Sequence, residues 1–141
     1  MADSQKFPVA AHTLAYLAHK DARSADRAIS SAELATSIPT NPVVVRRVTG
    51  MLAKAGLIAT RAGANGGAWL LKAPADISLE SVLRAVDGCT HLGVTKGGVD
   101  GCPVGEQIPD KIREAITAAH EAASASLKKT SVADLLKSCP S

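Results

Sequence analysis

Aromatic side chains are almost missing from this chain: one Phe, one Tyr and one Trp in 141 residues, at Phe7, Tyr16 and Trp69. Surfaces that hold single strands or unpaired RNA bases stack them on aromatic rings, so three dispersed rings exclude that kind of platform. Cysteine is equally scarce. Three residues (Cys89, Cys102 and Cys139), with no CxxC among them, do not form the framework of a secreted disulfide protein. No apolar run approaches the roughly 20 residues of a membrane span. The opening stretch MADSQKFPVA has no basic segment followed by an apolar one, as a secretory leader would. The expected setting is therefore the reducing cytoplasm, with no membrane partner. There is also no glycine-rich loop ending in GK[ST], no HExxH and no nucleophile elbow, and the four histidines are scattered. An enzyme is not expected.

The most informative absence is of acid. Between Glu33 and Asp76 no Asp or Glu occurs, while Arg46, Arg47, Lys54, Arg61 and Lys72 all fall there. The first 33 residues are balanced and the remainder is slightly acidic, so the net charge of +3 understates the local field. A basic stretch of this kind is the electrostatic footprint of a phosphate-binding surface. Without aromatic platforms the expected partner is double-stranded DNA rather than RNA.

The pattern of elements says how that charge is presented. Residues 4–20 carry Phe7, Ala10, Ala11, Leu14, Leu17 and Ala18 on one stripe and predict a helix. Ser30 and Glu33 form a capping-box pair opening a short helix to about Ser37. Ile38-Pro39-Thr40 breaks it. Asn41-Pro42 is an N-cap followed by proline at the first helical position, and Gly56 closes that second helix. Val44, Val45, Val48 and Leu52 should face the core, leaving Asn41, Val43, Arg46, Arg47 and Thr49 outward; Gly50 suggests close packing or a tolerated surface position. Two short helices joined by a tight break are a helix-turn-helix. Residues 57–60 and 68–71 then read as strands around a glycine-rich turn, a β-hairpin placed as a wing. Ser78 caps a further helix to about Val86. Gly88 to Gly105 has no periodicity, and a helix follows from about Glu106 to Lys129. Its stripe of Ile108, Ile112, Ile116, Ala119, Ala123 and Leu127 needs cover that so small a domain does not supply, and a second copy is the simplest. Ser131 caps a last helix, Val132 to Lys137. The expected fold is mainly α with a small β-hairpin. A winged helix-turn-helix domain (1–88) would be followed by a glycine-rich loop (89–105), then by a long dimerisation helix with a short C-terminal one (106–141).

Several segments resemble one family. They are residues 29–35, the junction 52–58, the wing 61–71 with its GxxGG, the helix 77–88, Cys102-Pro103-Val104-Gly105 and residues 131–136. Together they are similar to the BadM/Rrf-two regulators, the family of IscR, NsrR and CymR, over nearly the whole chain. The resemblance implies a winged helix, a long helix crossing to a partner subunit, and control of promoters at a dyad-symmetric operator as repressor or activator. Iron–sulfur members place three cysteines in the loop before the long helix; here that loop holds only Cys89 and Cys102.

On this reading the helix from Asn41 lies in the major groove. Arg46 and Arg47 either read guanine or touch phosphate. Ser30, Thr40 and Asn41 approach the backbone at helix N-termini, beside Val43, while Lys54 is a backbone contact or a solvated lysine. Arg61 and Asn65 suit the minor groove. Three readings of the Cys89–Cys102 pair stand: an iron–sulfur cluster completed by His12 or His91, a thiol/disulfide switch, or no redox role. No metal is named by the sequence, and zinc is disfavoured because no tightly spaced ligand pair exists. The rival function is a winged-helix protein–protein interaction module without specific DNA binding.

Overall fold

The computed structural model describes residues 5–86, 92 and 95–140. Six helices and one antiparallel hairpin follow one another: α1 Lys6–His19, α2 Ser31–Ser37, α3 Pro42–Lys54, β1 Ile58–Arg61, β2 Gly67–Leu70, α4 Leu79–Val86, α5 Pro103–Leu127 and α6 Val132–Leu136. The mainly helical fold with a β-hairpin wing is as the periodicities imply.

The core gathers around α1, whose Leu14 and Leu17 are fully buried together with Val45, Val48 and Leu52 of α3 and Val82 of α4. Each fully buried side chain of this size is worth about 1.5–3 kcal/mol of transfer free energy, so one contiguous apolar cluster holds α1, α3, α4 and the hairpin as a unit. Thr13 is buried among them without cost because its hydroxyl donates to the Val9 carbonyl at 2.8 Å.

The caps decide where α2 and α3 begin. Ser30 Oγ accepts the Glu33 N–H at 3.1 Å, and Asn41 Oδ1 accepts the Val43 N–H at 2.8 Å with Pro42 at the first helical position. The reciprocal half of the Ser30 box is replaced, since the Glu33 carboxylate accepts instead from the Tyr16 hydroxyl at 2.9 Å. That bond ties α2 to α1, and the carboxylate holds the phenol above its ordinary titration range. After α3, Gly56 takes a positive φ of 81° and turns the chain into β1.

The C-terminal helix returns to this core. Val132 is fully buried, its N–H donates to the Ile77 carbonyl at 2.9 Å, and the Leu79 N–H donates to Thr130 O at 2.9 Å. Helix α6 begins with a complete capping box between Ser131 and Asp134, and Lys137 pairs with the same carboxylate at 2.6 Å. Chiefly through the Lys137 bond, and then the Ser131 N–H, the Asp134 carboxyl is lowered from its ordinary 3.8 to about 2. A carboxyl lowered in the folded state stabilises above its unfolded value and loses that contribution as pH falls towards the folded one. The thermal midpoint of the native chain should therefore exceed that of Asp134→Asn above pH ~4, and the gap should close between pH ~4 and ~2.

One boundary and one packing expectation differ from the sequence reading. Helix α5 starts at Pro103 rather than Glu106, because Cys102 acts as its N-cap: Sγ accepts the Gly105 N–H at 3.3 Å. Pro109 is consequently inside the helix and has no N–H for the Gly105 carbonyl, which accepts instead from Val99 at 3.1 Å. Close packing at Gly50 is not found: a Cβ there would meet nothing within 4 Å.

Candidate nucleic-acid interface

One side of α3 is committed to the core through Val45, Val48 and Leu52, and Val44 is half-buried against the same cluster. Helical spacing then puts Val43, Arg46, Arg47, Gly50 and Lys54 on a single opposite stripe. All five are exposed. Among the described residues neither arginine is held in an ion pair, and no acidic side chain lies in the sequence from α3 to the wing.

The wing is fixed beside this stripe. Ile58, Ala59, Thr60 and Arg61 pair with Leu70, Trp69, Ala68 and Gly67. Ile29, just before α2, adds a third rung by exchanging two backbone hydrogen bonds of 2.9 Å with Ala68. The position of Gly67 follows from that rung. Its φ is 154°, and a Cβ there would collide with the Ile29 carbonyl, so only glycine lets the segments meet. The Leu70 N–H also donates to Ala22 O at 2.8 Å, joining the wing to the end of α1. The start of α2, the outer face of α3 and the wing are thereby held around one open groove, lined in part by Ser30, Arg46, Thr49, Gly50 and Arg61.

Within this frame the anticipated contact residues fall into two sets. Ser30, Arg46 and Arg61 line the groove itself, and Asn65 lies at the wing turn, where its carbonyl accepts from the Arg61 guanidinium at 3.0 Å. Thr40 is half-buried and its hydroxyl donates to Gln5 Oε1 at 2.8 Å, while Asn41 Oδ1 is spent on the cap of α3. The sequence reading did not find Ile29, which lines the groove and joins the start of α2 to the wing, or Tyr16, which ties α2 to α1. For Ile29 a signal existed in Gly67, whose need for close backbone approach has no other source.

The chain matches the family model described as an iron-dependent transcriptional regulator, Rrf2, over residues 3–138. The chain belongs to the Rrf2 family of transcriptional regulators. It is 37% identical over 134 residues, 94% of this chain and 96% of the relative, to YwnA of Bacillus subtilis (strain 168), described as an HTH-type transcriptional regulator. A crystal structure described as a DNA-binding protein is 34% identical, with a TM-score of 0.72 over 94% of this chain and 99% of that one. Staphylococcus aureus CymR, 21% identical with a TM-score of 0.66 over 97% of this chain and 99% of its own, shares the fold. By its family and by YwnA, the chain is a transcriptional regulator rather than an enzyme.

An iron site is what the Rrf2 description would require. Among the described residues no three His, Cys, Asp or Glu side chains are gathered as metal ligands. Cys102 is exposed and caps α5, Cys139 is exposed in the C-terminal tail, and His12 Nε2 lies 2.9 Å from Ser37 Oγ in the packing of α1 on α2. Cys89 and His91 lie outside the described residues. Among the described residues, no helix is long and apolar enough to cross a membrane.

Proposed function

We propose that this chain is a cytoplasmic, sequence-specific repressor that binds a dyad-symmetric duplex as a homodimer, with α3 in the major groove and the wing against the adjacent backbone or minor groove. The observation that carries this reading is the basic outer stripe of α3, held beside the wing around one open groove. A helix and a two-stranded wing at this spacing suit the major groove and its border. Occupancy of promoter DNA by the dimer excludes polymerase, so repression is the proposed sense of regulation. The unit of α1 to α4 with α6 would bind DNA and α5 would join the subunits, with the segment before Pro103 as hinge.

Regulation through the hinge is the remaining part of the proposal. Cys102 is exposed and its sulfur supplies the cap of α5, so thiol–disulfide exchange there would alter the start of the helix that sets half-site separation. The thiol reading is preferred for the place of the exposed Cys102 sulfur at the start of α5.

Selection of duplexes from a randomised library, followed by fluorescence anisotropy across a salt series, tests the central claim. The expected result is a dyad-symmetric consensus bound by two chains, with log affinity falling steeply and linearly against log salt. Failure to enrich any duplex, or salt-independent binding, would leave the protein-interaction module as the better reading.

A further inference from the structure

Val43 is half exposed, at 50%, on the second residue of α3. Before α5 and the segment leading to it, only Leu71 is another exposed large hydrophobic among the described residues. Exposed aliphatic residues are common on surfaces, and their placement decides whether they mean anything. Here Val43 shares its stripe with Arg46 and Arg47, three and four residues on, at the end of the helix that would enter the groove first.

Its polar neighbours have other employment. Asn41 Oδ1 accepts the Val43 N–H, Thr40 Oγ1 donates to Gln5, and Ser30 Oγ accepts the Glu33 N–H. The arginines are left to hydrogen-bond, and Val43 is left to make the apolar contact. The major groove offers only one apolar group on its base edges, the C5-methyl of thymine. A β-branched side chain suits that target, because within a helix its χ1 is nearly fixed and its methyls are presented without further loss of rotamer freedom.

We infer that Val43 reads the 5-methyl group of one thymine in each half-site, so that the operator carries a T·A pair selected by that methyl rather than by hydrogen bonding. The inference rests on the proposed DNA-binding role of α3, and it narrows the substrate to duplexes with thymine at a fixed step from the arginine contacts.

The test uses the full chain and duplexes recovered by selection. Each selected thymine is replaced in turn by deoxyuridine, which removes the methyl and leaves base pairing intact. At one thymine per half-site affinity should fall about fourfold, equivalent to the ~0.8 kcal/mol of one buried methyl-sized group. Replacing that thymine in both half-sites should cost roughly fifteenfold. Val43→Ala, an exposed change to a better helix former, should bind the thymine and uracil duplexes within twofold of each other. An unchanged thermal midpoint verifies its fold. Deoxyuridine without effect at every selected thymine overturns the inference, as does a Val43→Ala chain that keeps the same discrimination; in both cases duplex binding itself stands. Failure to enrich any duplex overturns the DNA-binding reading, and this one with it.

Discussion

Replacing Arg46 and Arg47 together with alanine should lower affinity for the selected duplex by at least about a hundredfold, while the thermal midpoint stays within a few degrees. Both side chains are exposed and opposite the buried Val45, Val48 and Leu52, so their removal opens no cavity. A dimer presents each arginine twice. If all four contact phosphate, the slope of log affinity against log salt should flatten by about 3.6, at roughly 0.9 per contact. If they read guanine instead, the slope should change little and discrimination against altered base pairs should fall by about 1–3 kcal/mol for each lost contact. The salt series on wild type and double variant separates the two roles. A double variant with native affinity and native salt slope would remove α3 from the interface.

Much of this interface was legible because short-range chemistry specifies it. Asn41-Pro42 and Gly56 delimit α3 by capping and by left-handed geometry, and both act through immediate neighbours. The burial of Val45, Val48 and Leu52 follows from helical spacing alone, which leaves Arg46 and Arg47 nowhere but outside. Tertiary choices were hidden. Glu33 has the spacing of a capping box, yet its carboxylate goes to Tyr16, a residue distant in sequence whose phenol reaches it across the α1–α2 contact. Ile29 sits in a stretch with no strand periodicity and becomes a rung of the wing only because Gly67 leaves room. The start of α5 was obscured by its cap, since cysteine is not among the favoured N-cap residues.

Placing Glu at both Ile108 and Ile112 should convert the proposed dimer to a monomer and lower duplex affinity by roughly two orders of magnitude or more. Helix α5 runs for 25 residues, and none of them is buried in the isolated chain. Ile108 and Ile112 are 45% and 46% exposed, and Val104 on the same side is 66% exposed. A helix of about 37 Å with one uncovered apolar side draws little stability from propensity alone, and in the proposed dimer a two-fold partner would cover that side with its own copy. Two carboxylates on that seam would meet two more across the dyad, desolvated and of like charge, which the apolar contact does not offset. The core of α1, α3, α4 and α6 should persist, because its buried cluster contains neither isoleucine. Sedimentation should show a single chain, with Trp69 fluorescence unchanged. The loss on DNA would come from separating two half-site contacts that α5 otherwise links at high effective concentration. A doubly substituted chain that still sediments as a dimer would move the subunit interface to another surface, and a wild-type chain that is monomeric at micromolar concentration would remove the dimer from the mechanism.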